Sequence, residues 1–134
     1  MAPGTLARIS GATSLLFGFA GLVAPDVFAT AFGIQLDQIG LALARLACAS
    51  YLGFGVLNWL VRDVTDARTW RAITAGNAVS WAVSAGVVTE AILFGPGQLT
   101  SLVLLALQIG YTVAWAAMYL RVSRLPESVV EPTP

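Results

Sequence analysis

Two ionisable residues, Arg45 and Glu90, lie inside long apolar stretches of the sequence. Arg45 is about six residues, roughly 9 Å at α-helical rise, from the nearer end of its stretch, and Glu90 is about four residues, roughly 6 Å, from the end of another. A charge at such a position needs a partner or a function. Because the two stretches run antiparallel, both residues fall at similar depth, and we predict an ion pair that faces the interior.

The sequence leaves a structural and a functional interpretation of this pair open. As a structural clasp, the pair would fix the register of two helices. As a site, Arg45 would bind a carboxylate, phosphate or enolate oxygen, and Glu90 would act as an acid, a base or an acceptor. Arg45 and Glu90 are therefore the candidate catalytic residues. Asp37, at the head of the stretch that holds Arg45, is a candidate ligand-binding residue because it could join the pair through Arg45.

Other polar and aromatic residues lie within the same stretches and could line a cavity below Arg45. Together with Arg45 and Asp37, the candidate ligand-binding residues are Tyr51, Trp81, Gln108 and Tyr111. Each of these could instead supply one hydrogen bond between helices or simple packing. Asn58 and Asn77 fall at matched depth near the opposite ends of their stretches, and we predict that they form a structural amide pair.

Four apolar stretches, at residues 6–24, 39–61, 72–94 and 99–120, carry these side chains. Each is near the roughly 20 residues that cross a hydrocarbon core, where the backbone must satisfy its own hydrogen bonds as a helix. We therefore predict an all-α fold, a single four-span helix bundle over residues 1–125 followed by a disordered cytoplasmic tail at 126–134. A short interfacial helix is expected between the first two spans, beginning at Pro25 and ending at Phe32-Gly33.

The distribution of basic residues predicts the orientation of the bundle. Apart from Arg45, the arginines lie at the beginning of the first stretch, between the second and third, or after the fourth: Arg8, Arg62, Arg68, Arg71, Arg121 and Arg124. The positive-inside rule then predicts a multi-pass protein of the cytoplasmic membrane with both termini in the cytoplasm. An alternative is a signal peptide cleaved after Ala29-Thr30-Ala31, although Pro25 and Asp26 before that site disfavour it.

Small residues at four-residue spacing predict the surfaces through which the helices pack, because lipid supplies no hydrophobic drive for helix association. Such a seam occurs in the first, third and fourth spans. The three seams are Ser10–Ser14–Gly18, Gly76–Ser80–Ser84 and Ala106–Gly110–Ala114.

Composition excludes several classes of function. The chain is 57% hydrophobic and 10% charged, with zero net charge and no histidine, so neither nucleic-acid binding nor a histidine-dependent reaction is expected. One cysteine excludes an internal disulfide and a multi-cysteine metal site, and no phosphate-binding loop is present. We predict no metal and no cofactor. The expected partners are membrane lipid and a hydrophobic small molecule, and a homo-oligomer is a further expectation.

Residues 25–62 resemble a group of small, uncharacterised four-helix bacterial membrane proteins, the DUF4345-like and DoxX-like proteins. The resemblance rests on Pro25, Phe32-Gly33, Leu36, Gly40, Ala44-Arg45-Leu46, Gly53, Gly55, Leu57-Asn58-Trp59 and Arg62. Cys48 departs from the pattern, in which a glycine usually stands at this position shortly after the arginine. The resemblance implies a bundle fold and no particular activity, and it implies that the position of Arg45 belongs to the scaffold.

Three hypotheses for function follow from these residues. The first is a membrane protein that binds a hydrophobic, anionic small molecule at an Arg45/Glu90 site. The second is a membrane-embedded isomerase or cyclase in which Glu90 transfers a proton on a lipid-like substrate, since proton transfer needs neither histidine nor a cofactor. The third is a structural or oligomerising membrane component in which Arg45 and Glu90 form a clasp.

Overall fold

The computed structural model describes residues 2–95 and 99–124, and the regular structure within them is helical throughout. The elements are α1 (Pro3–Val23), α2 (Pro25–Ala31), α3 (Gln38–Leu60), a 3₁₀ turn (Val61–Asp63), α4 (Ala67–Phe94) and α5 (Leu99–Val122). Within the described ranges, α1, α3 (with its 3₁₀ turn), α4 and α5 are each long and apolar enough to cross a membrane. The all-α prediction is confirmed. The predicted disordered tail at 126–134 and the turn at 96–98 lie outside the described residues.

The short helix between the first two long helices is also confirmed. Pro25 occupies its first turn, where the missing amide hydrogen costs nothing, and the helix ends at Ala31. Gly33 then takes a positive φ of 75°, which glycine adopts without the penalty that a Cβ atom would bring. The chain can therefore reverse its direction between α2 and α3.

Aspartates begin the two helices that follow the loops. The Asp37 carboxylate accepts a hydrogen bond of 2.7 Å from the Gly40 amide at the start of α3. The Asp66 carboxylate accepts one of 2.6 Å from the Thr69 amide at the start of α4. Each bond satisfies an amide that has no partner within its own helix. These side chains fix where the long helices begin.

The long helices associate as two pairs, α1 with α3 and α4 with α5. The seam predicted in α1 is buried at Ser10 and Ser14, and its third member, Gly18, lies against α3. A Cβ atom on Gly18 would lie only 2.8 Å from the carbonyl oxygen of Cys48 in α3. Small residues thus allow the backbones of α1 and α3 to approach closely.

The seams predicted in the third and fourth spans are not closely packed at their glycines, although Ser84 and Ala114 are partly buried. Gly76 and Gly110 are exposed, and a Cβ atom on either would meet no heavy atom within 4 Å. Instead, α4 turns Trp70 and Trp81 inward, and α5 turns Trp115 inward. Indole rings bury far more apolar area than small residues, so the tryptophan faces determine how this pair of helices is rotated.

The closely packed core lies at the end of the bundle that holds the arginines. It joins the beginning of α1, the beginning of α4 and the end of α5 through Leu6, Trp70, Trp115, Met118 and Val122. These three helix ends therefore lie on the same side, as the distribution of arginines predicts. The outward faces carry many exposed apolar side chains, which is unusual for a protein surrounded by water.

Candidate functional site

The ion pair predicted between Arg45 and Glu90 is not formed. Both side chains are exposed, and the ion pairs among the described residues are Arg8–Asp63 at 3.0 Å and Arg62–Asp63 at 3.2 Å. The clasp within one chain is therefore wrong. Binding or catalysis by Arg45 and Glu90 remains a prediction, and it now concerns two side chains that face outward.

The rotation of the helices explains this difference. Ala44, Cys48 and Tyr51 lie on the face of α3 that turns toward α4 and α5. Arg45 is one residue further along, so it points about 100° away from Ala44. Equal depth along two helices places two residues at one level of the bundle, but contact also requires that each side chain points toward the other helix.

Asp37 does not join a charged group in the described structure. Its carboxylate caps α3 through the Gly40 amide. The predicted link from Asp37 through Arg45 to Glu90 is therefore absent within the described residues.

Three aromatic residues proposed from the sequence do come together. The rings of Trp81 and Tyr111 stack with centroids 4.5 Å apart, and the ring of Tyr51 lies 6.3 Å from that of Trp81. These residues come from α3, α4 and α5, so the stack joins the two helix pairs near the middle of the bundle. Stacked rings contribute stabilisation beyond the apolar area they bury.

The tyrosine hydroxyls tie the stack to neighbouring helices. The hydroxyls of Tyr111 and Thr13 lie 2.6 Å apart, which joins α5 to α1. The hydroxyls of Tyr51 and Ser84 lie 3.2 Å apart, which joins α3 to α4. Both tyrosine hydroxyls are therefore already satisfied within the protein.

The amide pair predicted between Asn58 and Asn77 is formed. Each side-chain amide donates to the other's oxygen, at 3.0 and 3.1 Å, and the Asn77 amide also donates to the Ile73 carbonyl. Both residues are almost completely buried. Reciprocal pairing satisfies the polar groups that burial would otherwise leave unpaired, and it fixes the register of α3 against α4.

A lateral groove opens between the two helix pairs. We define it by Leu43, Ala44 and Ala47 of α3 and by Val83, Val87 and Ala91 of α4. Phe28 of α2, Phe32 directly after α2 and Leu104 of α5 also line it, and its volume is about 630 Å³. Leu43, Val83 and Val87 are each at least 60% exposed, so the groove is open to the surroundings of the bundle. Charged side chains of the described residues do not line it.

An inner pocket of about 80 Å³ adjoins the lateral groove. Thr13 and Ser14 of α1, Tyr51, Trp81 and Gln108 supply its polar groups. Cys48, Tyr51 and Gln108 line both spaces, so the pocket continues the groove toward the centre of the bundle.

Three buried polar atoms that belong to residues of the inner pocket have no hydrogen-bond partner among the described residues. They are the Ser14 hydroxyl oxygen, the Trp81 Nε1 and the Gln108 Oε1. Their residues are 0%, 4% and 3% exposed. Buried polar groups are normally paired, so these three atoms leave unused hydrogen-bonding capacity around one pocket of the described structure.

Sequence reasoning identified Tyr51, Trp81 and Gln108 but missed Ser14 as a site residue. The sequence predicts Ser14 only as part of the packing seam of α1, because a serine within an apolar helix fits that role equally well. It marks Cys48 only as a departure from a family pattern. No sequence signal separates a pocket residue from a packing residue at these positions.

The described residues contain no cluster of three or more histidine, cysteine or carboxylate side chains that could hold a metal ion. Comparison with known proteins gives no further constraint. No protein-family profile, curated protein or solved structure matches the chain.

Proposed function

We propose that this chain is a four-span protein of the cytoplasmic membrane that binds a hydrophobic, lipid-like small molecule in the lateral groove. The observation that carries the proposal is the groove itself. Its volume of about 630 Å³ lies within the range of small-molecule sites, which is roughly 300–1,000 Å³. Its apolar lining and lateral opening suit a ligand that arrives from a membrane rather than from water.

The proposed orientation places the arginine-rich end in the cytoplasm. Arg8, Arg62, Arg68, Arg71 and Arg121 lie at the end of the bundle opposite the loop that joins α1 and α3. Positive charge in short loops is retained on the cytoplasmic side. The lateral groove, which α2 borders, would then open into the outer half of the membrane.

The groove changes the expected character of the ligand. The first hypothesis from the sequence was an anionic ligand held by Arg45 and Glu90, yet both side chains are exposed and neither lines the groove. We therefore propose that the ligand is hydrophobic, as in that hypothesis, but that it carries no anionic group. Catalysis by Glu90, homo-oligomerisation and the resemblance to DoxX-like proteins remain predictions.

The proposal can be tested with a photoreactive hydrocarbon, an alkyl chain that carries a diazirine and no head group. The full chain is purified in detergent, labelled at increasing probe concentration, digested and mapped by mass spectrometry. We expect saturable labelling concentrated around Leu43, Val87 and Leu104. Labelling spread evenly over outward residues such as Leu16 and Val113 would contradict a binding site.

A matched pair of variants separates the groove from the rest of the surface. Ala47→Trp fills the groove, whereas Ala49→Trp places the same ring on the same helix outside it. We expect Ala47→Trp to abolish saturable labelling and Ala49→Trp to leave it unchanged. Arg45→Ala should also leave labelling by this uncharged probe unchanged. Equal loss in both tryptophan variants would assign the effect to misfolding or to another surface.

A further inference from the structure

We infer that the inner pocket binds an uncharged hydroxyl group at one end of the ligand, while the apolar remainder lies in the lateral groove. This inference rests on the proposed function. It narrows the class of ligand bound in the lateral groove to long-chain alcohols. The inner pocket adjoins the groove through Cys48, Tyr51 and Gln108, so one molecule could occupy both.

The unpartnered atoms define what the pocket can bind. The Trp81 Nε1–H only donates a hydrogen bond, the Gln108 Oε1 only accepts one, and the Ser14 hydroxyl can do either. A single hydroxyl group can accept from Trp81 and donate to Gln108. An ether or ester oxygen could only accept, and would leave the Gln108 oxygen unpaired.

The other polar groups of the pocket do not compete for this ligand. The hydroxyls of Thr13 and Tyr111 pair with each other, as do those of Tyr51 and Ser84. Only Ser14, Trp81 and Gln108 contribute buried atoms without a partner among the described residues. The buried atoms of the pocket without a partner among the described residues are therefore one donor, one acceptor and one group that can be either.

Charge and volume point to the same class of ligand. No charged side chain of the described residues lines the inner pocket, so an ionic head group would lose its hydration without compensation. The volume of about 80 Å³ is far above the roughly 10–15 Å³ needed for one water. It admits a hydroxyl and the adjoining carbons but not a long chain, which the larger groove accommodates.

The experiment compares three probes that share one alkyl chain: hexadecan-1-ol, 1-methoxyhexadecane and hexadecane. Each is added at increasing mole fraction to the full protein in detergent, and displacement of the diazirine hydrocarbon is measured. The alcohol is expected to displace the label at about tenfold lower concentration than hexadecane, which corresponds to ~1.4 kcal/mol. The methyl ether, which cannot donate, should fall between them.

Variants assign the preference to the pocket. Ser14→Ala and Gln108→Leu should each reduce the alcohol-to-alkane ratio toward one. Ser10→Ala is the control, because Ser10 is equally buried on the same helix but its hydroxyl accepts from Trp115 outside the pocket. This variant should keep the full ratio. Two pocket variants are used so that the test survives if one fails to fold.

The outcomes separate this inference from the proposed function. If all three probes displace the label equally, the groove binds apolar chains and the inner pocket holds only water, so the inference fails while the proposed function stands. If the alcohol preference persists in both pocket variants, the hydroxyl binds elsewhere and the inference also fails. If no probe displaces the label, the proposed function itself is wrong.

Discussion

At the arginine-rich end, the rings of Trp70 and Trp115 fill the space between helices, and each residue is less than 5% exposed. At the opposite end, Leu43 and Val87 occupy similar positions on facing helices, yet each is at least 60% exposed and lines the lateral groove. Both ends are built from apolar residues. The difference lies in side-chain size and in cross-helix hydrogen bonds, which are concentrated toward the closed end.

This contrast indicates that the two halves of the bundle contribute differently to stability and to binding. The closed half holds the four long helices in register through its indole rings and the Asn58–Asn77 pair. The open half does not need to contribute much to stability, and can therefore leave space for a ligand. Binding sites are often placed where a rigid scaffold holds less tightly packed elements. Three predictions test this contrast in order of expected effect.

The largest difference should appear when the same substitution is made in each half. Leu6→Ala removes a leucine that is 2% exposed in the closed core and should lower the free energy of unfolding by about 2–5 kcal/mol. Leu43→Ala removes one that is 60% exposed in the groove and should change it by less than about 0.5 kcal/mol. Chemical unfolding in detergent micelles, followed by circular dichroism, measures both. Similar losses would mean that the groove half is packed as closely as the core.

The buried amide pair should give the next largest effect. Asn58→Leu leaves the Asn77 amide without its partner and should cost about 1–2 kcal/mol in the same unfolding assay. The double variant with Asn77→Leu removes both polar groups and should recover much of that loss. A double-mutant cycle measures this coupling. Additive losses would show that the two amides do not stabilise one another.

The smallest effect should be a decrease in the free energy of unfolding at acid pH, caused by Asp66 at the closed end of the bundle. Hydrogen bonds from the Thr69 hydroxyl and amide hold the pKa of the Asp66 carboxyl below its ordinary value. Because the folded-state pKa is lowered, the stabilisation is present above the ordinary value of 3.8 and is lost as pH falls through the folded pKa.

Unfolding curves at a series of pH values measure this contribution. Asp66→Asn should flatten the acid side of the stability profile relative to the unaltered protein. Thr69→Val removes one of the two bonds from Thr69 and should weaken the pH dependence without abolishing it. An unchanged profile in Asp66→Asn would assign the acid dependence to other carboxylates.

Much of the fold could be predicted because it depends on properties carried by local sequence. The long apolar stretches indicated the four long helices, and Pro25 with Gly33 indicated the short helix between the first two. Depth also predicted one true contact. Asn58 and Asn77 lie at the same level, and because both also face inward they pair as expected.

The site was predicted less well because it depends on how each helix is rotated about its axis. Arg45 and Glu90 were placed at one level by the same reasoning that succeeded for the asparagines, yet both turn outward. In a water-soluble helix, polar residues mark the outward face. Here nearly every face is apolar, so the sequence does not reveal which face each helix turns toward its neighbours.

The sequence alone determined the class of fold, the number of long helices and the clustering of arginines at one end, because these follow from hydrophobic length and local turn chemistry. Only the tertiary structure decided that α1 packs on α3 and α4 on α5, that indole rings close one half, and that a groove remains in the other. The physical reason is that these features depend on the fit between side chains of different helices. Ser14, Trp81 and Gln108 are far apart in the chain, and only packing places them around one pocket.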